Sequence, residues 1–88
     1  MSKEHVYEVV KKVIMEVLPD VKLEQISIEK KLKEYGANSI DRMEIAAMSM
    51  EQLDLKIPLM SFAQVSNIEG LVDVLTENLV EAGSNKEI

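Results

Sequence analysis

Ser39 lies in the run Tyr35-Gly36-Ala37-Asn38-Ser39-Ile40-Asp41, where a glycine turn delivers a hydroxyl to the start of a long helical stretch. Such a hydroxyl can attack as a nucleophile or serve as a point of attachment. Attack requires a neighbouring base, ordinarily a positioned histidine. The chain has one histidine, His5, which reads as a solvated first-turn residue. No Gly-x-Ser-x-Gly elbow is present. The carboxylates are scattered over helix surfaces, with no pair set in an apolar environment that would shift a pKa. With no cysteine and one histidine, there is neither a thiolate nor a histidine cluster for a metal, and no EF-hand spacing occurs. Gly36, Gly70 and Gly83 do not make a phosphate-cradling loop. The pattern suits a serine that carries something; catalytic residues and metal ligands are not expected. Taken alone, however, a serine at a helix start also reads as a simple cap.

The elements around Ser39 follow from hydrophobic spacing. Val6, Val9, Val10, Val13, Ile14 and Val17 predict a helix over 3–17, with Ser2 as candidate cap and Pro19 blocking continuation. Valine is a mediocre helix former, so tertiary packing must hold this segment. Residues 18–37 form a long connection pinned by Leu23, Ile26, Ile28 and Leu32, with a short helical turn expected over 29–34. Gly36 is the natural site for a left-handed backbone. A second helix is expected from about 39 to 54, with Asn38 as N-cap and Asp41 in the first turn, where negative charge is favoured. Pro58 closes the next loop, and a short turn is expected over 60–64. Ser66-Asn67-Ile68-Glu69 reads as a capping box for a last helix bearing Ile68, Leu71, Val72, Leu75 and Leu79, ended by Gly83. No strand is expected. The fold class is all-α, three long helices and one short, with a long first loop. Residues 1–88 form one domain, with a disordered tail over 83–88.

Ten basic and sixteen acidic residues give a formal charge of −6, which repels phosphate backbones and argues against nucleic-acid binding. No apolar run reaches the length of a membrane span, and no secretion signal opens the chain, so the expected setting is cytoplasmic. The aromatics are Tyr7, Tyr35 and Phe62, so the core must be aliphatic and methionine. The second helix carries two apolar stripes. One holds Ile45, Met48 and Leu53, beside Ser49 and Ala46; the other holds Ile40, Met43, Ala47 and Met50. So small a bundle can hardly bury both. Either the helix is central and covered all round, or one stripe is a partner-docking surface rimmed by Glu44, Glu51 and Asp54.

The run from Gly36 to Asp41 resembles the Gly-x-Asp-Ser-Leu/Ile-Asp signature of acyl carrier proteins. Met43-Glu44-Ile45 matches the hydrophobic-Glu-Leu that follows it. Ile57-Pro58 stands where that family has Ile-Pro, and Val65-Ser66-Asn67-Ile68 resembles its hydrophobic-Thr-x-hydrophobic lead into the last helix. The register holds without a gap from 36 to about 75. The resemblance implies the small four-helix carrier bundle. It implies that Ser39 receives 4′-phosphopantetheine from coenzyme A through a phosphodiester, the arm's terminal thiol then carrying an acyl group as a thioester. A separate phosphopantetheinyl transferase activates the serine, which accounts for the missing base, and the borrowed thiol accounts for the missing cysteine. It further implies that Ile40, Met43, Ala47 and Met50 face partner enzymes while Ile45 and Leu53 face the core, with Glu44, Glu51 and Asp54 as the acidic rim.

The chain departs from the family pattern at several positions. Asn38 replaces the usual aspartate, keeping the capping oxygen without the charge. Ala46, Ala47 and Met50 stand where fatty-acid carriers have a denser acidic set, and Leu59 and Met60 follow Pro58 where those carriers tend to be acidic. Ser49 occupies a position usually apolar and larger. Apolar surface in place of charge narrows the partner list. The pattern is similar to discrete polyketide-synthase carriers, and to the donor carriers of β-branching cassettes that present acetyl, made by decarboxylating malonyl, to a hydroxymethylglutaryl-(HMG-)synthase-like enzyme. The implied partners are the transferase, an acyltransferase, and a ketosynthase-like decarboxylase or HMG-synthase-like enzyme, acting on a monomer. A carrier for fatty-acid or aminoacyl groups, and an interaction module that never bears an arm, are the alternatives.

Overall fold

The computed structural model describes the backbone of residues 3–63, 65 and 67–86, and the side chains through Leu79. Three α-helices appear, α1 (Lys3–Val17), α2 (Ser39–Gln52) and α3 (Ile68–Lys86), with 3-10 turns at Leu23–Gln25, Leu32–Tyr35 and Leu59–Phe62. No strand occurs among the described residues. The fold is all-α as expected, but the fourth, short helix is a single 3-10 turn at Leu59–Phe62, and the turn expected over 29–34 lies slightly later, at Leu32–Tyr35.

α1 is the centre of the packing and contacts both α2 and α3. Val6, Val10, Val13 and Ile14 recur at helical spacing and are fully buried. Its last turn closes through the Leu18 N–H, which donates to the Ile14 carbonyl at 2.8 Å, and Pro19 has no N–H to continue the ladder. Ser2, the candidate cap, lies outside the described residues. Ile45 from α2, Leu53 just after it, and Ile68, Leu71, Val72 and Leu75 from α3 belong to the same contiguous buried cluster. The Leu59–Phe62 turn bridges α2 and α3.

The long first loop is held at both ends of its course. The Tyr35 hydroxyl donates to the Gln25 carbonyl and accepts from the Ser27 N–H, each at 2.9 Å. Further on, the Lys30 and Ile28 carbonyls accept from the first N–H groups of α3, Ile68 at 2.9 Å and Glu69 at 2.8 Å. Those donors have no intrahelical partner, so the loop itself caps the last helix. The Asn67 side chain adds a third acceptor, its Oδ1 taking the Gly70 N–H at 2.8 Å. Ser66, the expected cap, lies outside the described residues.

Two expected boundaries are corrected. α2 stops at Gln52, because Leu53 leaves helical geometry and Asp54 adopts φ 55°, a left-handed conformation that ends the helix. α3 does not end at Gly83; its helical backbone runs on to Lys86. Glycine inside a helix costs about 1 kcal/mol relative to alanine, a handicap and not a stop signal.

Candidate functional site

Ser39 is the first residue of α2, and three features bring it there. Gly36 takes φ 89°, the left-handed turn that glycine adopts without steric cost. Ala37 is buried and anchors the turn to the core. Asn38 is extended and caps the helix: its Oδ1 accepts from the Asp41 N–H at 2.8 Å, while Asp41 Oδ2 accepts from the Asn38 N–H at 3.2 Å. Asparagine therefore does what the sequence assigned to it, and Ser39 is left out of the cap. Its hydroxyl is exposed to solvent and accepts from Arg42 Nη2 at 3.1 Å. His5 is exposed on α1, and no group of three or more metal-ligating side chains occurs among the described residues.

The stripe expected to face partners divides. Ile40 is 75% exposed and Met43 49% exposed, and Ala47 is exposed between Glu44 and Glu51, with Asp54 exposed at the end of the helix. Met50 is the correction: it is buried in the core with 9% exposure. At about 100° per residue, Met50 sits about 40° from buried Ala46 and about 20° from exposed Met43. It stands on the edge between the two faces, and the bundle covers it. Ala46 and Ser49 are buried with Ile45, as the core stripe requires. The Ser49 Oγ is fully enclosed without a hydrogen-bond partner.

Beside Ser39 opens a largely apolar cleft of about 380 Å³ between α2, the Leu59–Phe62 turn and the start of α3. Ser39, Arg42 and Met43 line one side, and Met60, Phe62 and Leu71 another. Leu59 and Met60 are exposed at its rim, Met60 at 86%. Arg42 and this turn went unassigned as site residues. Arg42 was legible in principle, since residues three apart are neighbours on a helix surface. The cleft was not, because it depends on where the turn packs.

The site is an accessible hydroxyl on a capped helix start beside exposed apolar residues. The family model for the phosphopantetheine attachment site matches residues 8–75. The polyketide biosynthesis acyl-carrier-protein AcpK of Bacillus subtilis (strain 168) is 40% identical over 82 residues, which is 93% of this chain and all of that protein. The acetyl-donor carrier complex of the curacin-pathway HMG synthase contains a chain with TM-score 0.81 and 36% identity, covering 88% of this chain and 99% of that one.

The chain belongs to the acyl carrier proteins. It is a carrier and not an enzyme, and the cofactor of the family is covalently bound 4′-phosphopantetheine. The surroundings of Ser39 fit a phosphate ester. The N–H groups of Ser39 and Ile40 have no intrahelical partner, the positive end of the helix dipole favours an anion, and Arg42 adds a full charge within reach of Oγ.

Proposed function

We propose that Ser39 is the attachment point and that the chain is a free-standing carrier of polyketide biosynthesis, presenting acetyl to an HMG-synthase-like enzyme that installs a β-branch. The observation that carries the attachment is the position of the Ser39 hydroxyl: exposed, excluded from the cap, and beside the open N–H groups of α2. The polyketide and acetyl-donor roles are supported by what the two relatives are described as doing. When bound, the arm supplies the thiol that holds the acyl group as a thioester. The chain's own residues fix where that arm starts and which enzyme it visits.

In this reading Ile40, Met43 and Ala47 are the docking surface, and Glu44, Glu51 and Asp54 steer basic partners toward it. The partners are a phosphopantetheinyl transferase, an acyltransferase that loads malonyl, a ketosynthase-like decarboxylase, and the HMG-synthase-like enzyme. The carrier acts as a cytoplasmic monomer, and the Leu59–Phe62 turn stands for the short helix of a four-helix carrier bundle.

Incubation with coenzyme A and a promiscuous transferase tests the attachment. The expected result is a mass gain of one phosphopantetheine, absent in Ser39→Ala. An unmodified Ser39 with several transferases would leave an interaction module and sink the carrier site. The cargo is read by intact mass of protein from its native host: acetyl or malonyl supports the donor role, and a long fatty-acyl or aminoacyl adduct overturns it.

A further inference from the structure

We propose that Arg42 is the counter-ion of the phosphodiester, gripping its free oxygens and fixing the direction in which the arm leaves Ser39. This inference rests on Ser39 being the attachment point. Arg42 Nη2 already donates to Ser39 Oγ at 3.1 Å. Once Oγ is an ester oxygen, the non-bridging phosphate oxygens lie two bonds further out, across the phosphorus, so the guanidinium meets them by turning its side chain, with no movement of the helix. Its planar fork matches two phosphate oxygens at once, which an ammonium cannot do.

The charge pattern of α2 gives the contact its purpose. Asp41, Glu44 and Glu51 are negative, and Arg42 is the one cation in the helix. Asp41 lies two residues from Ser39, and its carboxylate, committed to the Asn38 N–H, opposes a second negative charge beside it. Arg42 offsets that repulsion at the position where the phosphate forms. Its charge is available, because no ion pair engages it among the described residues. Arg42 also lines the cleft, whereas Ile40 is not among the residues lining it. A phosphate held by Arg42 therefore sends the arm across the cleft mouth, past Met43 and Met60, and away from Ile40.

The test compares apo and fully loaded forms of the wild type, Arg42→Gln and Arg42→Lys. Loading is verified by intact mass, and the readouts are the thermal midpoint and the phosphorus NMR resonance. Loading should raise the wild-type midpoint by about 3 °C at low salt, with the gain shrinking as salt is added. Arg42→Gln should lose the gain and shift the phosphorus resonance, and Arg42→Lys should keep part of it. Each variant's apo form is its own reference, so any change in basal stability cancels. Equal gains in the wild type and Arg42→Gln, with an unchanged resonance, overturn the role of Arg42 while leaving Ser39 as the attachment point. A wild type that gains no mass overturns both.

Discussion

Asn38 and Asp41 cap each other across the first turn of α2, the amide oxygen of one accepting the backbone N–H of the other at 2.8 Å and the carboxylate returning the bond at 3.2 Å. This exchange holds the backbone of Ser39 still while leaving its hydroxyl out of the cap. Asn38→Ala removes one acceptor and should cost about 1 kcal/mol, a fall of about 4–8 °C in thermal midpoint for a domain of this size. Asn38→Asp keeps the acceptor and adds a charge that the helix dipole favours, so its midpoint should equal or exceed the wild type. A fall with Asn38→Asp comparable to that with Asn38→Ala would show that the reciprocal cap does not hold the turn.

Ser49 presents the opposite situation, a polar atom with nothing to bond. Its Oγ is fully buried and unpartnered, and an enclosed hydroxyl without a partner costs about 1–3 kcal/mol. Ser49→Ala deletes that penalty at the expense of a very small void and suits a helix interior better. Chemical denaturation should show a higher midpoint at unchanged slope. A lower midpoint would mean that the hydroxyl bonds in solution, for instance to a carbonyl one turn back.

The two methionines of the proposed docking stripe should behave differently. Met43 is half exposed and Met50 is buried. Met43→Glu should leave the thermal midpoint nearly unchanged while impairing acyl transfer to the partner enzyme. Met50→Ala should cost about 2–5 kcal/mol through the lost contacts and the cavity left behind. Equal stability losses at the two positions would place Met43 in the core and remove it from the docking surface.

These outcomes also mark what the sequence could reveal. Gly36, Asn38 and Asp41 were legible because their roles are local: a left-handed turn, a capping oxygen and a charge at a helix start. The α1 stripe was legible because four buried residues repeat at helical spacing. Met50 was misassigned because periodicity fixes an angle around the helix axis, and a residue at the boundary is settled by what packs there. The loop's part in capping α3 was not legible for a related reason. Two of its first N–H groups bond to Ile28 and Lys30, about forty residues earlier in the chain, and no local motif encodes such a partner. Gly83 misled because a glycine is permitted at a helix end and merely tolerated inside one.

The dependence of α3 on the first loop yields the last prediction. Tyr35 ties that loop together through its hydroxyl, accepting from the half-buried Ser27 N–H and donating to the Gln25 carbonyl, and the next residues of the same loop supply the Ile28 and Lys30 carbonyls to α3. Tyr35→Phe keeps the ring and deletes the oxygen, leaving the Ser27 N–H without its acceptor, a loss of about 1–3 kcal/mol. Because the clamp and the cap share one segment, the damage should spread. Amide hydrogen exchange at Ile68 and Glu69 should quicken in Tyr35→Phe although neither residue touches the substituted oxygen, while amides in the middle of α1 should slow or quicken only with global stability. Unchanged exchange at Ile68 and Glu69 would mean that the apolar anchors Ile26, Ile28 and Leu32 seat the loop without Tyr35, and that the start of α3 is independent of the clamp.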